Sequence, residues 1–242
     1  MLEFLGDSAR FIHIAFGAVG LAAFWVPVFA RKGANVHVTA GKVFVWCAYV
    51  VLGAAALALI FRTAGLVLAG ITPADQPMLY SFIVFLGYLT LVTFATVRHG
   101  MALLKHKRDP GALRTPFHRG LAWLSIAASA AIIAYALLTD SPIRILLFAL
   151  SPIGFLTGNG MLRYMRGGDA SPRAWWYEHM GAMLGAGIAF HTAFAVFGAT
   201  RLFDIGLSGW VGVIPWILPA AIGVPATAIW TRHYRRKFGE LA

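Results

Sequence analysis

Seven long apolar stretches separated by short polar gaps leave this chain few ways to fold. They lie near residues 11–30, 41–61, 78–97, 119–138, 142–162, 178–200 and 210–231. Each approaches the roughly 20 apolar residues that cross about 30 Å of hydrocarbon. In lipid every backbone N–H and C=O needs an internal partner, so only helices and closed barrels span. These runs are continuously apolar rather than alternating, which argues against a barrel. The expected fold is an all-α polytopic transmembrane helix bundle, with seven spans forming a single integral membrane domain over residues 1–242.

Composition supports this. Charged residues make up 12% of the chain and hydrophobic ones 60%, against about 25% charged in soluble domains. The net charge of +11 would suggest nucleic acid in a soluble protein. Here the distribution of charge explains it better. With the gaps assigned alternately to two sides and the N-terminus outside, only Arg10, Arg62, Arg144 and Arg201 fall in outer segments. All other Lys and Arg fall in inner ones, following the positive-inside rule. The expectation is a multi-pass protein of the bacterial inner (plasma) membrane with its C-terminus cytoplasmic, the lipid bilayer as partner and no nucleic acid.

The first span is expected to be retained. It follows Glu3 and Asp7 rather than a basic cluster, and no small-residue cleavage site follows it. Cys47 is the single cysteine, so there is no disulfide framework or cysteine-built metal site within the chain. The stretch 62–77 either extends the second span or lies flat at the outer interface. Span 5 carries Pro152, Gly154, Gly158 and Gly160, and span 7 carries Pro215, Pro219 and Pro225, so both should bend. Such a break can line a site, although membrane helices also carry Pro and Gly freely. Gly181, Gly185 and Ala189 recur at fours on span 6, with Gly187 nearby. That spacing predicts a close-packing face. Trp175, Trp176 and Tyr177 read as an interfacial belt, with Trp210 opposite.

The eight histidines are the chemically versatile set. His13 and His191 fall at similar depth in the outer half. His37, His99, His118 and His179 gather at the inner ends of spans, and His106 and His233 lie in basic segments. One reading is ligation of haem b. His13 with His191 would supply one pair of imidazoles, and His37 with His179 a second. Burial favours neutral imidazole, the form that binds metal. The protein would then be a membrane electron-transfer component with a membrane or redox protein partner. His179 and His191 are 12 residues apart, which rotates them about 120° beyond whole turns. One haem is therefore easier to build than two. The competing reading is structural, with interfacial histidines solvated and deep ones bonding across helices.

Two other classes stay open. His37, His118, His179 and Glu178 could hold a metal ion for an intramembrane hydrolase. However, no short His-x-x-x-His spacing is present, and adjacent Glu178 and His179 point about 100° apart. A non-enzymatic small-solute carrier or membrane scaffold is the other. Span interiors almost lack carboxylates, which argues against a proton pump. Tyr49, Tyr88, Tyr135, Asn159 and Thr192 would line a polar cavity or serve as satisfied helix contacts.

The segment KGANVHVTAGKVFVW, with His13 before it and Lys32, Gly33, His37 and Gly41 within it, resembles a family of uncharacterised bacterial polytopic membrane proteins. That family is classed as a domain of unknown function with a Lys-Gly…His…Gly signature before the second span. EHMGAMLGAGIAFHTAF and RHYRRK are similar to its later segments. The resemblance implies a polytopic inner-membrane protein and carries no activity, substrate or cofactor.

Overall fold

The computed structural model describes residues 2–199 and 214–241. Every regular element among them is helical. The α-helices are α1 (Leu2–Phe29), α2 (Asn35–Leu68), α3 (Pro77–Leu103), α4 (Pro116–Leu138), α5 (Arg144–Leu150), α6 (Pro152–Met165), α7 (Ala174–Ala193) and α8 (Ile214–Lys237). A 3₁₀ turn covers Pro110–Leu113, and a π-helical turn over Phe194–Ala199 continues α7. With α5 and α6 taken as one span, seven helices among the described residues are long and apolar enough to cross a membrane. The chain is a multi-pass membrane protein. Residues 210–213 at the start of the seventh expected span, with Arg201 and Trp210, lie outside the described residues.

The stretch after residue 61 extends the second span. Helix α2 runs for 34 residues to Leu68, about 50 Å at the helical rise. It stops where Gly70 takes φ +69°, a left-handed conformation that costs glycine little. Ile71 N–H then bonds Leu66 O, and Gly70 N–H bonds Val67 O, satisfying carbonyls at the helix end. Asp75 closes the following turn by accepting from Thr72 N–H and Oγ1. Those hydrogen bonds hold its carboxyl below the usual value.

The chain divides into two compact units. The first contains Met1–Ala95 and Arg114–Arg166, and the second Thr96–Leu113 and Gly167–Ala242. In the first unit α1 packs along α2, and α4 along α6. Phe44, Phe85, Val92 and Leu147 are among its fully buried side chains. Tyr88, Val92 and Ile132 form a core cluster with Val84, Leu89 and Ala128 against it. In the second unit α7 packs against α8.

Between lipid-bathed helices there is little hydrophobic drive, so close backbone approach matters more. The glycines that permit it differ from those expected. A Cβ on Gly154 would collide with Ser129 Oγ and Ser125 O of α4, and one on Gly158 with Ala122 O and Ile126. Two glycines four apart on α6 thus seat it against α4. The expected face on span 6 is looser. Among the described residues, a Cβ on Gly181 would meet nothing within 4 Å, and one on Gly185 only Thr96 Cγ2 at 3.8 Å. Helix α7 is approached closely elsewhere, at Ala182 and Met183, by Gly100 of α3.

Candidate functional site

In the first unit, three candidate histidines are held by separate parts of the helix scaffold. His13 on α1 places Nδ1 3.0 Å from Val51 O of α2. His37, in the first turn of α2, places Nδ1 3.1 Å from Pro27 O near the end of α1. The last bond at that end runs from Ala30 N–H to Val26 O. The carbonyls of Pro27 and Val28 follow it, where a helix runs out of internal donors. Lys32 Nζ supplies both, at 2.8 and 2.7 Å, with its charge favourably placed at a helix C-terminus. Burial lowers the Lys32 pKa below the usual lysine value. The Lys-Gly…His spacing read from the sequence thus closes α1 and joins it to α2. His118 starts α4, and its N–H donates to the capping Thr115 Oγ1 at 3.2 Å. Its side chain is buried, with 3% of the residue exposed, where an interfacial, solvated position was expected.

In the second unit, His179 at the start of α7 places Nδ1 2.8 Å from Gly100 O in the last turn of α3. The close approach follows from Gly100, where a Cβ would lie 2.8 Å from Ala182 Cβ and 2.6 Å from Met183 Cε. His191 bonds within its own helix, Nδ1 to Gly187 O at 2.7 Å. Glu178 is half-buried beside His179. His179 and His191 are separated by about 18 Å of helix, so α7 does not bring them together. His99, also expected at a wet interface, is buried.

The four proposed haem ligands share one feature. Each has Nδ1 against a main-chain carbonyl. A carbonyl only accepts, so Nδ1 carries the proton, and in the neutral ring the lone pair lies on Nε2. A metal-binding histidine is commonly fixed in this way. Among the described residues, no group of three or more His, Cys, Asp or Glu could hold a metal ion.

Beside the buried His118, hydroxyls make up much of the polar interior of the first unit. Tyr88 OH accepts from Gly154 N–H at 2.8 Å and lies 3.0 Å from Ser151 O, 3.1 Å from Leu150 O and 3.2 Å from Ser129 Oγ. It sits where α5 gives way to α6 at Ser151–Pro152, so it serves backbone groups freed by the break in span 5. Ser81 Oγ lies 2.9 Å from Ser141 Oγ and 3.2 Å from Tyr135 OH. Asn159 Nδ2 donates to Phe155 O, and the Tyr49 ring packs on Phe94. Tyr88, Tyr135 and Asn159 are therefore satisfied helix contacts.

The second unit holds an ionic cluster not anticipated from the sequence. Gly239 takes φ +72° and turns the chain back after α8. Glu240 then accepts from Ser171 Oγ and Tyr177 OH, each at 2.8 Å, and from Arg173 Nη1 at 3.2 Å. Arg235 bonds Asp169 and lies with its guanidinium 4.3 Å from the Tyr177 ring centroid. Desolvation pushes the Glu240 carboxyl up, but hydrogen bonds from Ser171, Tyr177 and Arg173 outweigh it and hold the pKa below the usual value. The clue in the sequence was the pair of lone carboxylates, Asp169 and Glu240, in otherwise basic segments.

Comparison with protein families, curated proteins and solved structures finds no match to this chain.

Proposed function

We propose that this protein is a haem b-binding electron-transfer component of a bacterial inner membrane, with N-terminus outside, C-terminus cytoplasmic and a membrane or redox protein as partner. Its iron ligands are drawn from His13, His37, His179 and His191. One observation carries the reading: all four imidazoles hold Nδ1 against a main-chain carbonyl. That fixes the ring and puts the neutral lone pair on Nε2, the state an iron ligand needs. The test is a reduced-minus-oxidised visible spectrum of the purified protein after haem supplementation. A haem band that His191→Ala abolishes or shifts, and His106→Ala leaves alone, supports it. A flat trace ends it.

A second reading, a membrane scaffold or small-solute carrier without catalysis, is favoured by a different aspect of the same bonds. His37 and His179 each bond a carbonyl in the last turn of a preceding helix, a task complete without any ligand. It predicts a colourless protein that His37→Ala and His179→Ala destabilise. The hydrolase reading on His37, His118, His179 and Glu178 draws no support from a metal-binding group among the described residues.

A further inference from the structure

We propose that one end of the second unit is a binding site for the phosphate of an anionic phospholipid. Three segments meet there. Lys107, in the loop after α3, lies with Nζ 4.6 Å from the ring centroid of Trp175 at the start of α7. The next residue, Trp176, packs against Tyr234 and Phe238 at the end of α8, with centroids 4.5 and 5.7 Å apart. Each contributing span ends at this level, α3 at Leu103 and α8 at Lys237, while α7 begins at Ala174. The indoles therefore lie where the apolar helix surfaces stop, the depth that tryptophan prefers in a bilayer.

The charge is strongly one-sided. Asp169 and Glu240 are occupied by Arg235 and Arg173. Lys105, Lys107, Arg108, Arg232, Arg236 and Lys237 are exposed, and none makes an ion pair among the described residues. Asp109 is an exposed carboxylate in the same loop and accepts from Ala112 N–H. Lys237 lies with Nζ 5.8 Å from the Tyr234 ring centroid, so Lys107 and Lys237 flank one aromatic patch. An ammonium donates charge-assisted hydrogen bonds to phosphate oxygens. Clusters of four to eight Lys and Arg at the end of a membrane helix attract anionic headgroups. The interleaved indoles tie this cluster to the membrane surface and select a lipid over a soluble anion.

The full-length protein in mild detergent is titrated with dioleoyl phosphatidylglycerol, and separately with dioleoyl phosphatidylcholine, by native mass spectrometry. Phosphatidylglycerol, the anionic lipid, should bind at least tenfold more tightly. Replacing Lys107 and Lys237 together by Gln should weaken it about 25-fold, at roughly fivefold per cation. Lys107→Arg with Lys237→Arg keeps both charges and should retain most of the affinity. The matched pair Arg119→Gln and Arg163→Gln removes the same charge from the first unit and should leave binding within a few fold. Equal loss in both Gln sets would show general surface attraction and overturn the site. So would preference for neither lipid, or full displacement by equimolar inorganic phosphate. If the Gln set fails to fold, the wild-type protein decides: binding must fall as salt rises, and salt-independent binding overturns the proposal.

Discussion

The Nδ1 of His179 lies 2.8 Å from the carbonyl oxygen of Gly100, joining the first turns of α7 to the last turn of α3. The bond needs the glycine as much as the histidine, since a side chain at 100 would meet Ala182 and Met183. Gly100→Val should destabilise the protein by about 1–3 kcal/mol through overpacking. His179→Ala should cost about 0.5–1.5 kcal/mol for the lost hydrogen bond. The two should be non-additive in thermal unfolding in detergent. Strict additivity would show that the residues act separately.

The hydroxyl of Tyr88 serves the broken segment of span 5. Tyr88→Phe keeps the ring and leaves Gly154 N–H without the oxygen it bonds. A cost of about 1–3 kcal/mol follows for an unpaired buried group, with faster hydrogen exchange around 151–154. Unchanged exchange at the break would mean that Tyr88 does not hold it.

Glycines on one helix should respond with opposite signs. Gly154→Ala and Gly158→Ala drive a methyl into the α4 backbone and should destabilise by about 1–3 kcal/mol. A Cβ on Gly160 meets nothing within 4 Å, so Gly160→Ala should be neutral or stabilising by up to about 1 kcal/mol from helix propensity. Melting temperatures of the three variants decide the matter. Equal effects would refute the packing described for Gly154 and Gly158.

Glu240 makes the closure of the C-terminal turn sensitive to acid. Its carboxyl titrates below the ordinary value of 4.5 in the folded protein, so the folded state favours the charged form. The stabilisation is fully present above the unfolded pKa and is lost as pH falls through the folded one. Protease resistance of the 234–241 segment should be constant at neutral pH and should drop once the pH falls below the ordinary glutamate value of 4.5. Glu240→Gln should abolish that acid transition, and a persistent transition would assign it to another group.

The seven apolar helices were legible in the sequence because the physics that sets them is contiguous along the chain. A backbone in lipid must satisfy its own hydrogen bonds, so a run of about 20 apolar residues implies a helix whatever its neighbours. The break in span 5 was legible for a similar reason, since Pro152 removes a donor at its own position. The candidate histidines were legible as residues but not in their partners. Nothing near His179 in sequence points to Gly100, and nothing near His13 points to Val51.

Sequence alone therefore determined that the chain is helical and where its seven membrane-length apolar helices run. Tertiary structure alone decided that Gly100, Gly154 and Gly158, rather than Gly181 and Gly185, sit at close helix contacts. It also decided that His99 and His118 are buried and that Glu240 folds back onto Arg173 and Tyr177. The physical reason is range. Hydropathy and backbone hydrogen bonding act within a segment. Steric fit, burial and ion pairing depend on which distant segment lies opposite, and that is set only when the helices pack.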